Sequence, residues 1–508
     1  MDIIGEVLCS LSEFENVREA IADTPGAIEL ATRIWVVEDT CPVPTTTSNP
    51  VNTSALEVLL SFLNWFNPPN ENQPHHQFMD PVDVDEEVMK GREILTGQRD
   101  KVVRPRLDRV VSAAGGISRL VDLAFSRLQA ITANVELIRG TGTAVTLDLI
   151  SQLCRSSTHP LRFKFLDKGL ISLVVGLAVT VVGMLDVVVA VSSNGRRQIT
   201  SNGTGTLQGS QAQQRFLQYS LVSCFTLLFN MMESTDGHTW FKEAVSAGLL
   251  QAWVDAAAHI HNFSPEDAEV VVEIMSVLLP KYTVFESVIN SVNGALKKIK
   301  HEARLDACRD PQMKKAWTAF RQMTAERSTL DRQCQNLDAK KTFMRCGGCS
   351  QALYCSRDCQ KDDWRAGHKR VCNLTPQERL EIYQTWKSND DHFHRLVVHD
   401  AIRHLATIKR LAESAYPLLA ESPTSFVITI DYLVYPPKLG VHLLLEHWRY
   451  ALRHTLKVGP TAELHNDEMI QRSLNNPGKY GIIQSKRSEG DVLEAKWGAL
   501  DQLVQQVG

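Results

Sequence analysis

The spacing of cysteines in one short stretch constrains this chain more than any other feature. Six of the eleven cysteines fall between Cys334 and Cys372, while Cys9, Cys41, Cys154, Cys224 and Cys308 are scattered. Cys346 and Cys349 form a C-x2-C knuckle. Cys355-x3-Cys359 and His368-x3-Cys372 each place two donors one helical turn apart on a single face. Soft thiolates with one imidazole select zinc over hard cations and fit a closed tetrahedral site. No position remains for water or substrate, so such a metal is structural. A segment this short buries too little apolar surface to fold alone, and the metal supplies its folding free energy.

The rest of the chain is long enough for roughly two to four domains with sizeable cores. At 44% apolar and 22% charged residues it has the composition of a folded protein. The net charge of −4 predicts no general affinity for nucleic acid or membrane. The N-terminus lacks a basic n-region and carries acids early, which argues against a secretory signal. A reducing, intracellular compartment follows, nucleus or cytoplasm, with the five scattered cysteines as free and mostly buried thiols.

Three segments can be laid over one another: AGGISRLVDLA from Ala114, KGLISLVVGLA from Lys168 and AGLLQAWVDAA from Ala247. Each sets a glycine (Gly115, Gly169, Gly248) ahead of apolar residues at helical spacing, the mark of stacked helical units. The pattern resembles the start of the last helix in an armadillo-type repeat, where glycine permits the sharp turn between helices. It also bears on the run from Gly169 to Val191, which is as long as a bilayer span and holds one charge, Asp186. An aspartate is costly in a bilayer. The sister segments carry Arg119, Asp122 and Asp255 and could not span one. The run is therefore read as a buried helix pair of a core, with no membrane partner.

These readings give a mainly α chain in three parts. Residues 1–325 form an armadillo-like helical region with disordered loops at 42–54, 66–87 and 192–211. The acid-rich end of the second loop, Asp80–Glu87, reads as a solvated spacer. Residues 331–374 hold the metal cluster. Residues 375–508 form a helical domain opened by Thr375-Pro376, with a short strand pair. Its one convincing strand is SFVITIDYLVY (425–435), closed by Pro436-Pro437, with a partner near 480–484 or 456–458.

The cluster carries a specific resemblance. The C-x2-C, Tyr354 before Cys355, C-x3-C followed by Gln360, the DDW around Trp364, and H-x3-C together resemble a MYND-type zinc finger, and the arrangement as a whole is similar to fungal MYND-finger proteins. In that family eight ligands hold two zinc ions in an interleaved fashion. The resemblance implies one complete site from Cys346, Cys349, His368 and Cys372. It implies a second from Cys334, Cys355 and Cys359, whose fourth cysteine is missing here. Asp338, Asp331 or a bound water is expected to fill that place, Asp338 first. It further implies docking of short, often proline-containing peptides along Gln360 and Trp364, with Tyr354 in support. Gln360 and Trp364 stand four apart and share a helical face beside the metal face.

Two other function classes fit less well. Residues 331–374 hold nine Lys/Arg against five Asp, but Asp358, Asp362 and Asp363 lie on the helix that would approach phosphate, which disfavours a DNA-binding regulator. The MYND finger also occurs in SET-type lysine methyltransferases. The chain lacks their asparagine-histidine-serine-cysteine run, and it lacks GxSxG, a P-loop and a strand-borne GxGxxG. The pairs His75/His76 and His392/His394 have no matched ligand set and read as solvated surface. The expectation is a non-enzymatic, zinc-dependent protein interaction module serving a scaffold or a transcription-related adaptor.

Overall fold

The structure is a computed structural model that describes residues 15–37, 50–63, 103–140, 142–156, 159–195, 204–233, 238–330, 344–345, 353–354, 357, 361, 388–415, 426–443, 481–489 and 492–500. It divides into two compact units. One comprises Met1–Leu278 with Gly294–Trp317, the other Leu279–Asn293 with Thr318–Gly508.

The first unit is helical throughout its described residues. All three aligned glycines sit at a break between consecutive helices with positive φ: Gly115 at 88°, Gly169 at 87° and Gly248 at 112°. A side chain is disfavoured there, and glycine lets the next helix start at once. Gly248 donates its N–H to the Val245 carbonyl and Gly169 to that of Leu166, which closes the outgoing helices. A fourth turn of the same kind, at Gly26 (φ 88°), separates Glu15–Asp23 from Ala27–Val37.

The apolar run forms one unbroken helix, Leu170–Gly195, and not the helix pair expected. Its Gly176 is half-buried and its Gly183 exposed, and a β-carbon at either would meet no atom within 4 Å. The helix packs on Thr204–Glu233, His238–Ala247 and Leu249–Ala256, and Val174, Ala178, Val181 and Leu185 are fully or almost fully buried. It is the one helix among the described residues that is long and apolar enough to cross a membrane. Asp186 lies near its end, with its carboxylate 2.9 Å from His259 Nε2 and 2.9 Å from an Arg304 guanidinium nitrogen. Trp253 anchors the core nearby: its indole donates to the Val271 carbonyl at 2.7 Å and its ring stacks on Trp317 at 5.9 Å.

Two of the expected loops are shorter than the sequence suggested. The helix Pro50–Leu63 takes up the end of 42–54, because proline is well placed in a first helical turn that needs no N–H. Helices Leu170–Gly195 and Thr204–Glu233 take up both ends of 192–211. The loop 66–87 lies outside the described residues.

In the second unit the expected strand pair is a four-stranded sheet. Strand β3 (Phe426–Asp431) pairs antiparallel with β4 (Lys438–Leu443) and parallel with β5 (Gly481–Glu489), and β5 pairs antiparallel with β6 (Val492–Leu500). The partner expected at 480–484 is thus β5, with Val427 opposite Ile482. The alternative at 456–458 lies outside the described residues. Pro436-Pro437 ends β3 but does not end the sheet, since the chain turns there and returns as β4. One sheet face packs Ile428, Leu439 and Val441 against Ile408, Leu411 and Ala412 of the helix Leu405–Ala415.

Arg487 of β5 is buried with its guanidinium over the rings of Phe285 and Phe393, at 4.9 and 4.7 Å. Tyr432, also buried, donates its hydroxyl to Asp400 at 3.0 Å, and burial, followed by the Asp400 charge, pushes its phenol pKa well up. Arg327 donates to the Pro280 carbonyl and to Thr283. Glu326 and Arg403 form an ion pair at 2.7 Å. These contacts hold the end of the helix Pro311–Leu330 beside the helix Ser388–Arg403, so the chain leaves this frame at Leu330 and re-enters it at Ser388.

Candidate metal centre

The cysteine cluster lies between those two points. Two short strands are described in it, β1 (Met344–Arg345) and β2 (Leu353–Tyr354), paired antiparallel with Met344 opposite Tyr354 and Arg345 opposite Leu353. Cys346 is the next residue after β1 and Cys355 the next after β2, and an antiparallel ladder sends those two exits in opposite directions.

Arg357 and Lys361 are helical and exposed.

Among the residues expected to form the site, Tyr354 stands in β2. Cys334, Cys346, Cys349, Cys355, Cys359, His368, Cys372, Gln360 and Trp364 lie outside the described residues, as do the candidate fourth ligands Asp331 and Asp338. Among the described residues no other group of His, Cys, Asp and Glu is arranged to hold a metal ion. The donor set at 334–372 fits zinc by its chemistry, six thiols and an imidazole at ligand spacings around a short hairpin.

The thiols outside the cluster differ in kind. Cys154 and Cys224 are free and fully buried. Burial pushes the Cys154 pKa up to about 12 and raises that of Cys224 as well, so both stay neutral. A neutral thiol is neither nucleophile nor ligand. Cys308 is half-buried and its pKa is raised for the same first reason.

One histidine expected at the surface is not there. His392 is buried on the helix Ser388–Arg403, because it shares the inward face with Phe393, Leu396 and Val397. Sequence reading also missed the partners of Asp186, since His259 and Arg304 lie far away along the chain.

Residues 332–372 match the family model of the MYND finger. The match takes in Cys334 near its start and closes on Cys372. No curated protein and no solved structure matches the chain. A MYND finger is a zinc-binding module for protein–protein interaction, and this chain carries one between the helices Pro311–Leu330 and Ser388–Arg403.

Proposed function

We propose that the finger docks short, proline-containing peptide segments of a partner protein, and that the chain acts as a non-enzymatic intracellular adaptor in nucleus or cytoplasm. The observation that carries this reading is the match over 332–372 with the C-x2-C, C-x3-C and H-x3-C pairs all intact. Cys346, Cys349, His368 and Cys372 hold one zinc. Cys334, Cys355 and Cys359 hold a second, with Asp338 completing it. Trp364 supplies an aromatic contact and Gln360 a polar one on the adjoining face, and Tyr354 supports them from β2. The glycine-linked helices are armadillo-like and offer the partner a further surface.

The test is a Trp364→Ala variant of the full chain assayed against proline-containing peptides by anisotropy, with zinc counted by native mass spectrometry. The expected outcome is unchanged zinc and at least about tenfold weaker binding, the loss typical of an aromatic anchor. Unchanged binding would sink the docking role. Methyl transfer to a protein substrate from a labelled donor would overturn the non-enzymatic reading. Two zinc ions, falling to one in Asp338→Ala, would support the proposed second site.

A further inference from the structure

The first unit holds an exposed basic loop whose backbone is gripped by a side chain distant in sequence. It runs from Lys297 to His301, between the helices Glu286–Leu296 and Ala303–Ala307. Lys297, Lys298, Lys300 and His301 are all exposed. The side chain of Gln251 grips the middle of the loop at both ends of one residue. Its Oε1 accepts the Lys300 N–H at 2.8 Å, and its Nε2 donates to the Lys300 carbonyl at 3.0 Å. The same amide donates to Asp255 at 2.8 Å.

Asp255 then reaches two residues of the following segment. His301 Nδ1 lies 3.4 Å from Asp255 Oδ1 and Arg304 lies 3.3 Å from it, with Arg304 also paired to Asp186. Glu302 accepts the indole N–H of Trp317 at 2.6 Å. Between these anchors His301 has a φ of 61°. It is the one non-glycine residue with positive φ among the described residues, in a conformation that a β-carbon disfavours. Backbone held in such a region by surrounding contacts points to a functional constraint.

The charges around the loop are unbalanced. Over Gly294–Trp317 the acids are all engaged: Glu302 with Trp317, Asp306 with Lys314, and Asp310 with the Gln312 N–H. Arg304 is spent on Asp186 and Asp255. Among the described residues Lys297, Lys298 and Lys300 make no ion pair, and neither does the exposed Arg309 farther along. Arg309 stands close to His261, whose pKa is lowered first by burial and then by that charge. The free cations of the loop are therefore ammonium groups on a fixed backbone.

We propose that the loop Lys297–His301 is a preformed docking surface for an acidic, carboxylate-rich segment of a partner protein, separate from the finger. Nucleic acid is the weaker fit. No exposed aromatic ring lies in Gly294–Trp317 to stack a base, and the loop Lys297–His301 itself carries no guanidinium, whose fork would suit phosphate. Holding the backbone at Lys300 beforehand removes part of the ordering cost on binding, and the surplus charge steers encounter.

The test titrates the full chain into a fluorescein-labelled peptide of alternating aspartate and glycine at low salt, with a single-stranded DNA oligonucleotide of equal charge as competitor. The proposal expects saturable binding that weakens with salt and falls at least about tenfold in Lys297→Glu/Lys298→Glu/Lys300→Glu. All three positions are exposed, so the variant keeps its fold, which circular dichroism checks. Gln251→Ala, which frees the loop without changing charge, is expected to weaken binding about threefold with the salt dependence kept. Loss of zinc through Cys372→Ser should leave this binding intact, which separates the loop from the finger. Absence of binding, equal binding by the triple variant, or displacement by the oligonucleotide at lower concentration than by unlabelled peptide would each overturn the proposal.

Discussion

The helix Leu170–Gly195 and the β1–β2 hairpin show two ways for one chain to hold a shape. The helix is 26 residues long and packs along much of its length on three others. The hairpin has two residues in each strand. Two residue pairs cannot sustain a hairpin in water, so whatever fixes it must come from the donors around it. The first region depends on buried area and shape, the second on ligand identity. Each should therefore be indifferent to the injury that destroys the other.

The sharpest way to break that contrast is to remove the metal. A zinc chelator, or Cys372→Ser, should unfold the finger, where metal binding supplies on the order of 10 kcal/mol. Hydrogen exchange at Met344–Tyr354 would rise to the unprotected rate, with protection across Leu170–Leu185 unchanged. A simultaneous loss in the helices would mean that the two regions are not independent.

The reciprocal injury is Trp253→Ala. It removes a fully buried indole, its bond to Val271 and its stacking on Trp317. A loss of about 3–5 kcal/mol is expected in denaturant titration of the helical unit, with the zinc count unaltered.

A smaller effect tests the glycine turns. Gly248→Ala places a β-carbon on a residue at φ 112°. The β-carbon would meet only a Val179 methyl at 3.8 Å, an ordinary contact, which leaves the backbone as the cost, about 1–2 kcal/mol. A neutral result would mean that the turn relaxes without loss.

The smallest effect is electrostatic. Glu29 and Arg109 form a two-pronged ion pair at 2.8 Å on each arm, and the hydrogen bonds from Arg109 hold the Glu29 pKa down, from 4.5 to about 2. A depressed folded pKa contributes stability above the unfolded value and loses it as pH falls from about 4.5 toward 2. The pair is partly exposed and screened, so the contribution is about 1 kcal/mol. Glu29→Gln should flatten that part of the stability–pH curve in the helical unit.

Legibility in the sequence follows the same division. Ligand spacing is local, so the finger can be read from donors separated by two or three residues. Glycine-opened helices are also local signals, and three of the four turns with an aligned glycine stood out; Gly26 did not, because its neighbours lack the long apolar run. The sheet was less visible. Strand β3 is β-branched and apolar, whereas β6 reads VLEAKWGAL, rich in helix formers, and takes its conformation from pairing with β5. Least legible were the polar contacts. The grip of Gln251 on Lys300 spans 49 residues, and that of His259 on Asp186 spans 73. No periodicity announces a bond between residues so far apart.

The distance from Asp186 to its partners also has a meaning in time. As the chain is synthesised, the helix Leu170–Gly195 leaves the ribosome well before His259, and Arg304 comes later still. Through that interval the nascent segment offers an insertion machinery a length and hydropathy suited to a bilayer, and the carboxylate stands uncompensated. A central aspartate opposes insertion by roughly 2.5–3.5 kcal/mol, and less toward a helix end. The one acid of that run is thus without these partners while the chain is being made, and becomes an ion-pair partner only in the finished fold.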